Sequence, residues 1–326
     1  IGLTLETRPD QICKKELIRY RRFGVTRMQI GVQHTNDDIL RKINRRCLIK
    51  HVKKAIKLLK DSGFKVDIHL MPDLPGSNYS LDMLMFIEVL SDPDLQVDQW
   101  KIYPCEVVPW TKIKTWFDEG EYKPYAETIA KRKDGSEYNP LFELILTVKT
   151  MVHPWIRLNR VIRDIPNHYI EGGNQVTNMR QYLHNELKKR GKTCKCIRCR
   201  EIKDREIDFS TVKLMVRSYP ASDGIEKFIS FETEDENIIC GFLRLRITED
   251  PFTDAFPELK KCALIRELHV YGQVVATYDT KKKDKAVQHH GFGTKLLKKA
   301  EEIALEHGYK QLSVISGNGV KNYYRK

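Results

Sequence analysis

Two stretches of this chain carry residue types at spacings that could do chemistry. The first is Cys194-x-Cys196-x-x-Cys199, three thiols within six residues of a loop rich in lysine and arginine. Neighbouring cations and a metal ion both favour the thiolate, and a disulfide would use only two of the three sulfurs. The pattern points to zinc, with a redox or iron–sulfur role as the alternative. The second stretch is Gln288-His289-His290-Gly291-Phe292-Gly293-Thr294, which runs directly into a helical pattern ending at Gly308. Glycines at 291 and 293 let the backbone turn closely around a ligand, and the free N–H groups of a helix start suit a pyrophosphate. An ordinary glycine turn capping a surface helix would read the same way. The other cysteines, Cys13, Cys47, Cys105, Cys240 and Cys262, are scattered, and the last two lie in apolar strand-like segments as small buried hydrophobes.

The elements that must position these motifs follow from hydrophobic periodicity. Candidate strands at 2–6, 27–33, 65–71 and 99–103 alternate with helical patterns at 12–23, 49–61 and 81–90. That order predicts a parallel sheet covered by helices, either part of a TIM-type barrel or a doubly wound sheet. In a barrel, the chemistry sits at strand C-termini, here Glu6-Thr7-Arg8, Gly31-Val32-Gln33, Met71-Pro72-Asp73 and Tyr103-Pro104. Residues 122–140 read as a polar connector, followed by a helix at 140–152, a strand at 155–163 and a helix at 175–190. Beyond the cysteine loop, 227–233 and 238–247 form a hairpin. A strand at 263–271, the glycine loop with its helix, and a strand at 311–316 follow. The domains expected are 1–135, a partial barrel; 136–208, a basic linker with the cysteine loop; and 209–326, the glycine-loop domain.

Composition narrows the partners. The 326 residues carry 57 Lys plus Arg against 44 Asp plus Glu, a formal net charge of +13. The cations recur in clusters: residues 14–22, residues 41–57, then Arg157, Arg160 and Arg163, then Lys188, Lys189, Arg190, Lys192, Lys195, Arg198 and Arg200. A charge spread through the chain rather than held in one tail implies a broad basic surface suited to nucleic acid. No apolar run approaches membrane-spanning length, which predicts no membrane association and a cytoplasmic setting. The opening Ile1-Gly2-Leu3 has no initiator Met, so the natural start is expected upstream.

Several long phrases, in order, resemble one family. Residues 6–10, 31–33, 69–76 and 101–104 are similar to the radical-SAM barrel of the Elongator catalytic-subunit family. Residues 160–166 and 194–201 resemble its linker, and 266–272, 288–293 and 316–326 resemble its GNAT acetyltransferase domain. The cysteine loop is closer to the archaeal or other non-animal branch. Cys47 stands where the family usually has histidine, which makes it a candidate fourth zinc ligand, with water, His168 or His184 as alternatives. The fold class this resemblance implies is α/β: a partial radical-SAM TIM-type barrel joined through a zinc-binding linker to a GNAT domain. No Cys-x-x-x-Cys-x-x-Cys cluster occurs in the sequence. The ligands of the four-iron-four-sulfur cluster are therefore expected before residue 1, and the chain reads as the core of a longer protein.

The resemblance implies tRNA as partner, with acetyl-CoA, S-adenosylmethionine, the cluster and zinc as cofactors, and a homodimer or Elongator accessory subunits as company. It implies carboxymethylation of the wobble uridine. Gln288 through Thr294 would cradle acetyl-CoA, while Glu6, Arg8 and Gln33 would bind S-adenosylmethionine. Lys101 and Tyr103 would line the barrel's cavity. Strand alternation puts Glu267 and His269 on one face, so a base or water-positioning role near the thioester is expected, with a solvent-facing polar pair as the bland alternative. Tyr323 or Tyr324 would hydrogen-bond the departing CoA sulfur; adjacent tyrosines on a helix cannot both face one ligand. Arg157, Arg160, Arg163, Lys188, Lys189, Arg190, Lys192 and Arg198 would contact tRNA. Two rival classes remain: a lysine acetyltransferase of the histone type, and a tRNA-binding scaffold with residual acetyl-CoA hydrolysis.

Overall fold

The computed structural model describes residues 2–252, 254–271 and 291–324. In the first half, β1 (Leu3–Thr7), β2 (Val25–Gln33), β3 (Lys65–Leu70) and β4 (Gln99–Ile102) alternate with α1 (Lys14–Arg22), α2 (Asp37–Lys42), α3 (Ile49–Asp61) and α4 (Tyr79–Ser91). The chain then forms β5 (Glu106–Val107), α5 (Lys112–Asp118), the β6 (Ala130–Lys131) and β7 (Glu137–Tyr138) ribbon, α6 (Pro140–Met151), β8 (Arg157–Arg160) and β9 (Gly172–Gly173). The sheet order β1-β2-β3-β4-β8 is parallel throughout, as the strand–helix alternation predicts. Helix α3 shows why: Val52, Ala55, Ile56 and Leu59 form one apolar face that is fully buried.

The first part of the span expected as a linker belongs to the first half. Helix α6, capped by Asn139 and started by Pro140, packs on α4, and β8 pairs with β4 as the fifth strand of the sheet. Only after α7 (Met179–Lys189) and the four-residue α8 (Ile197–Arg200) does the second half begin. There β10 (Val212–Pro220), β11 (Ile225–Thr233), β12 (Ile239–Ile247) and β13 (Cys262–Val270) make an antiparallel meander. Helix α9 (Phe292–Glu306) returns the chain to β14 (Gln311–Val314), which lies parallel to β13. The polar connector expected at 122–140 contains the β6–β7 ribbon. The tyrosines at the chain's end lie on and just past a 3-10 turn, Asn318–Tyr323.

One irregularity decides which side chains face what. Arg244 of β12 pairs with Glu267, while Leu245 pairs with Ile265, so Arg266 is the extra residue of a bulge. Before it, Ala263 and Ile265 face α9 in the core of the second domain; after it, Leu268 and Val270 do. Arg266 and Glu267 consequently both turn away from α9, into the contact with the first half. Beyond Ile265, β13 has no partner on its β14 side among the described residues. The sheet splits there, and the N-terminus of α9 stands near the split: a Cβ placed on Gly293 would lie 3.7 Å from Val270.

Candidate functional sites

The sheet of β1 to β4 and β8 presents a polar concave face that runs from a middle row, Gln29, Asp67 and Gln99, to its carboxyl ends. His69 and Glu6 approach at 3.4 Å, Lys101 donates to Gln29 Oε1 at 2.5 Å, and Asn159 donates to Asp67 at 2.9 Å and to Gln99. The remaining hydrogen-bonding capacity is not used. Gln33 Oε1, Arg45 Nε, Asp67 Oδ1 and His69 Nε2 are all buried without a partner. Burial raises the Asp67 carboxyl to about 6. It depresses His69 to about 4, with Lys101, Arg163 and Arg45 adding to the effect. Desolvation likewise lowers the Lys101 ammonium. Gln33, at a left-handed φ of 71°, ends its strand in a strained turn. Orphaned buried groups converging at strand ends suit a polar small molecule with both donors and acceptors, as S-adenosylmethionine is.

Of the residues expected to bind that molecule, Glu6 and Gln33 stand on this face. Arg8 instead pairs with Asp10 at 2.7 Å. Arg45, which reads as part of a surface cluster, is half-buried against Gly31, its Nη2 donating to the Gly31 carbonyl at 2.6 Å. The signal available in sequence was its place just beyond Gly31-Val32-Gln33, but a run of cations hid it.

The second site is the start of α9. Gly291 caps the helix in the left-handed conformation, φ 67°, which favours glycine. Gly293 leaves room for the Tyr323 hydroxyl, which a Cβ there would strike. Tyr323 is about half exposed, and Tyr324 meets it edge to face at 5.2 Å. Thr294 is exposed on the first turn. Phe292 corrects the expectation: its ring is 5% exposed and stacks on Phe231 at 4.4 Å, so it anchors the helix to the core rather than touching a cofactor. Gln288, His289 and His290 lie outside the described residues. The split sheet, the N–H groups of the first turn and a phenol beside Gly293 fit a pyrophosphate-bearing thioester.

Glu267 and His269 share a face, as alternation requires, but that face turns away from α9 and toward the first half. Glu267 pairs with Lys65 at 3.2 Å and with Arg244 at 3.0 Å. Those two cations hold its carboxyl near 2 against the effect of burial, too acidic for a general base. His269 packs edge-on against Tyr271 at 4.4 Å, and the Tyr271 hydroxyl accepts from Arg157. The bulge at Arg266 turned this face toward the first domain.

Around it lies a seam of buried charge that the sequence reading missed. Arg266, fully buried, donates to both oxygens of Asp98 at 2.7 Å, to Glu226 at 2.8 Å and to the Phe64 carbonyl at 3.0 Å. Arg246 reaches Asp61 at 2.5 Å and two carbonyls of the 221–222 turn. The cations hold Asp98 and Glu226 well below the ordinary carboxylate range.

The sulfurs of Cys194, Cys196 and Cys199 lie within 4.8 Å of one another, the only grouping of potential metal ligands among the described residues. The thiols of Cys194 and Cys199 hold Cys196 well below its usual thiol pKa. Three sulfurs converging in a nearly closed site fit a metal ion. Cys47 is not among them; it is 2% exposed, packed in the first domain's core within the field of Arg8, Asp10 and Arg45. The basic residues also sort themselves. Arg160 and Arg163 are exposed at the end of β8, and Lys188, Lys189 and Lys192 at the end of α7, while Arg198 is half-buried. Arg157 is spent on Glu201 and Tyr271, and Arg190 on Glu143 at 2.8 Å and Glu186 at 2.9 Å.

The three stretches match three family models: the Radical SAM superfamily over residues 1–87, the Radical_SAM C-terminal domain over 97–189 and the Acetyltransferase (GNAT) family over 200–326. The tRNA uridine(34) acetyltransferase of Methanocaldococcus jannaschii is 40% identical over 100% of this chain and 59% of its own length. Elongator complex protein 3 of Schizosaccharomyces pombe is 38% identical over 100% of this chain and 58% of its own. The solved structure of the archaeal Methanocaldococcus infernus Elp3 with N-terminus deletion (1-46) superposes with a TM-score of 0.86 at 37% identity, covering 100% of this chain and 75% of that one. The chain belongs to the Elp3 family. It spans about 60% of the length of the curated relatives it matches. Within the family's two-domain plan, the concave face belongs to the radical-SAM half and the α9 site to the GNAT half, joined by the charged seam. No described helix is long and apolar enough to cross a membrane.

Proposed function

We propose that this chain is the catalytic core of a tRNA-modifying enzyme that uses acetyl-CoA to build carboxymethyluridine at the wobble uridine. The observation that carries this reading is the pairing of two unlike sites on one chain: unsatisfied buried polar atoms at the half-barrel's strand ends, and the Gly291–Gly293 helix start beneath Tyr323. S-adenosylmethionine and the four-iron-four-sulfur cluster, when bound, would supply hydrogen abstraction from the acetyl methyl group and would take up the electron released as that carbon replaces the hydrogen on carbon 5 of uridine, which leaves as a proton. No residue of this chain is assigned to the cluster.

The chain's own residues do the rest. Gln33 and Arg45, through the atoms now without partners, and the exposed carboxylate of Glu6 would hold S-adenosylmethionine. Lys101, fixed by Gln29, and neutral His69 would line the cavity. At α9, main-chain N–H groups would hold the pyrophosphate. The Tyr323 hydroxyl would donate to the thioester sulfur as water releases CoA and leaves the carboxylate. Cys194, Cys196 and Cys199 would hold zinc and fix the joint between the halves. Arg160, Arg163, Lys188, Lys189 and Lys192 would meet the tRNA backbone.

Lysine acetylation is the weaker reading, because the carboxylate that could deprotonate an incoming amine, Glu267, is committed to Lys65 and Arg244. The deciding experiment supplies the full-length protein, its cluster reconstituted, with S-adenosylmethionine, acetyl-CoA and either tRNA or a histone peptide, and identifies the product by mass spectrometry. Carboxymethylated uridine is expected; acetylated peptide with unmodified tRNA would overturn the proposal.

A further inference from the structure

Glu106 is a buried carboxylate that is poorly matched within the chain. It lies at β5, just past the strand end that carries Lys101 and Tyr103, and is 8% exposed; neither oxygen makes a hydrogen bond of normal geometry, and only a weak side-chain contact from Asn174 and the charge of Arg163 bear on it. The main chain beneath it is fixed: Glu106 pairs with Gly173 across the β5–β9 ribbon, and the Gly173 N–H is held by Glu127 at 2.7 Å. An unpaired buried carboxylate is costly, and a fold that keeps one in a fixed position has a use for it. Burial has pushed its pKa to about 7, with Arg163 and Asn174 pulling the other way. Arg163 also bears on His69, so Glu106 and His69 lie within the field of the same guanidinium.

What could satisfy it must bring an N–H donor. A cationic donor is disfavoured by Arg163, whose charge already bears on the carboxylate. A neutral imide is not: its N–H offers the donor, and its two flanking carbonyls accept from cations or amides placed on either side. We propose that Glu106 reads the Watson–Crick edge of a uracil base, accepting the N3–H. Cytosine carries no hydrogen at N3 and would set a lone pair against the ionised carboxylate, so the ionised group rejects it. This assignment rests on the tRNA-uridine reading above, and it adds to that reading the residue that selects the base.

The test uses three anticodon stem-loop RNAs that differ only at the wobble position, carrying uridine, N3-methyluridine or cytidine. Each is titrated by fluorescence anisotropy against the protein and its Glu106→Ala and Glu106→Gln variants. The protein should bind the uridine RNA about fivefold or more tighter than the other two. Glu106→Ala should bind all three alike, at the affinity the parent shows for cytidine. Glu106→Gln, whose amide can also donate to cytosine N3, should lose the preference for uridine over cytidine. Both variants should melt at or above the parent temperature, since an unpaired buried charge has been removed. Discrimination that survives in Glu106→Ala, or is missing from the parent, would overturn the proposal. So would a melting temperature lowered by about 5 °C or more, which would mean the carboxylate holds the fold together. If none of the three RNAs binds, the tRNA reading itself fails and takes this assignment with it.

Discussion

Two buried populations of charge in this molecule are treated in opposite ways. At the seam, Asp98, Glu226 and Asp61 meet Arg266, Arg246 and Arg244 in a mesh that uses nearly every oxygen, and Asp98 and Glu226 sit below their ordinary pKa range. At the concave face, Asp67 and Glu106 keep idle oxygens and sit above it. Burial is similar in both places; what differs is whether the partner is in the same chain. A desolvated charge matched within the chain is part of the structure, and one left unmatched waits for a ligand.

If that distinction holds, the largest loss on truncation belongs to the seam. Arg266→Ala removes the nearest cation from both Asp98 and Glu226, leaving them buried with only the longer contacts to Arg244, Arg246 and Lys60, and should cost about 3–5 kcal/mol in denaturant unfolding. A cost under about 1 kcal/mol would mean that the seam is wet and the comparison false. The cysteine group comes next. Its sulfurs are matched to each other but not neutralised, so protein purified without added metal should carry about one zinc per chain by elemental analysis, and Cys196→Ser should lower both the zinc content and the melting temperature. Less than a tenth of an equivalent in the intact, folded protein would make the group a thiol cluster without a metal.

The sheet that forms the concave face was legible in advance because each strand and helix is long and strongly periodic. Residues 65–70 and 49–61 are found where alternation and the helical stripe put them. Helix α2 escaped because six residues span less than two turns, and only Asn36, whose side chain caps it, marked its start. Strand β10 escaped as well. At the seam, Leu243-Arg244-Leu245-Arg246 reads as a strand with one wet face, and nothing local says that a second domain covers that face. The bulge at Arg266 is likewise invisible, since it depends on a register set across two strands. Phe292 misled in the opposite sense: it sits inside the glycine motif, yet also one helical turn before Leu296 on the core face of α9. Arg45 looked like a surface charge and Glu106 carried no local signal, and only their surroundings reveal the unused atoms.

The site at α9 should be sensitive to volume but neutral for stability, as a ligand site differs from a seam. Gly293→Ala puts a methyl group where the Tyr323 hydroxyl lies. Acetyl-CoA affinity by calorimetry should fall about tenfold, while unfolding free energy changes by less than about 1 kcal/mol. Tyr323→Phe should slow CoA release from acetyl-CoA more than it weakens binding, because a hydrogen bond to the leaving sulfur matters most in the transition state. Equal effects on both would make Tyr323 a binding residue only.

The smallest effect separates the two populations most directly, because it compares a carboxylate from each by the same measurement. Asp67 titrates near 6 in the folded protein against about 3.8 for a free side chain. Its contribution to stability is therefore full below the unfolded value and is lost as pH rises through about 6. Asparagine at 67 can keep a contact with Asn159 and does not titrate, so Asp67→Asn should gain about 1 kcal/mol on the parent between pH 5 and pH 8. Glu267 runs the other way. With a folded value near 2, its contribution is present above the unfolded value of about 4.5 and is lost only as pH falls toward 2. The stability difference between Glu267→Gln and the parent should stay flat across that window, however large it is. Parallel lines for the two variants would mean that both carboxylates see equivalent surroundings, and the idle oxygens of the concave face would then carry no information about ligands. A slope for Asp67→Asn beside a flat Glu267→Gln is the outcome expected of a polar site held open next to a joint that is closed.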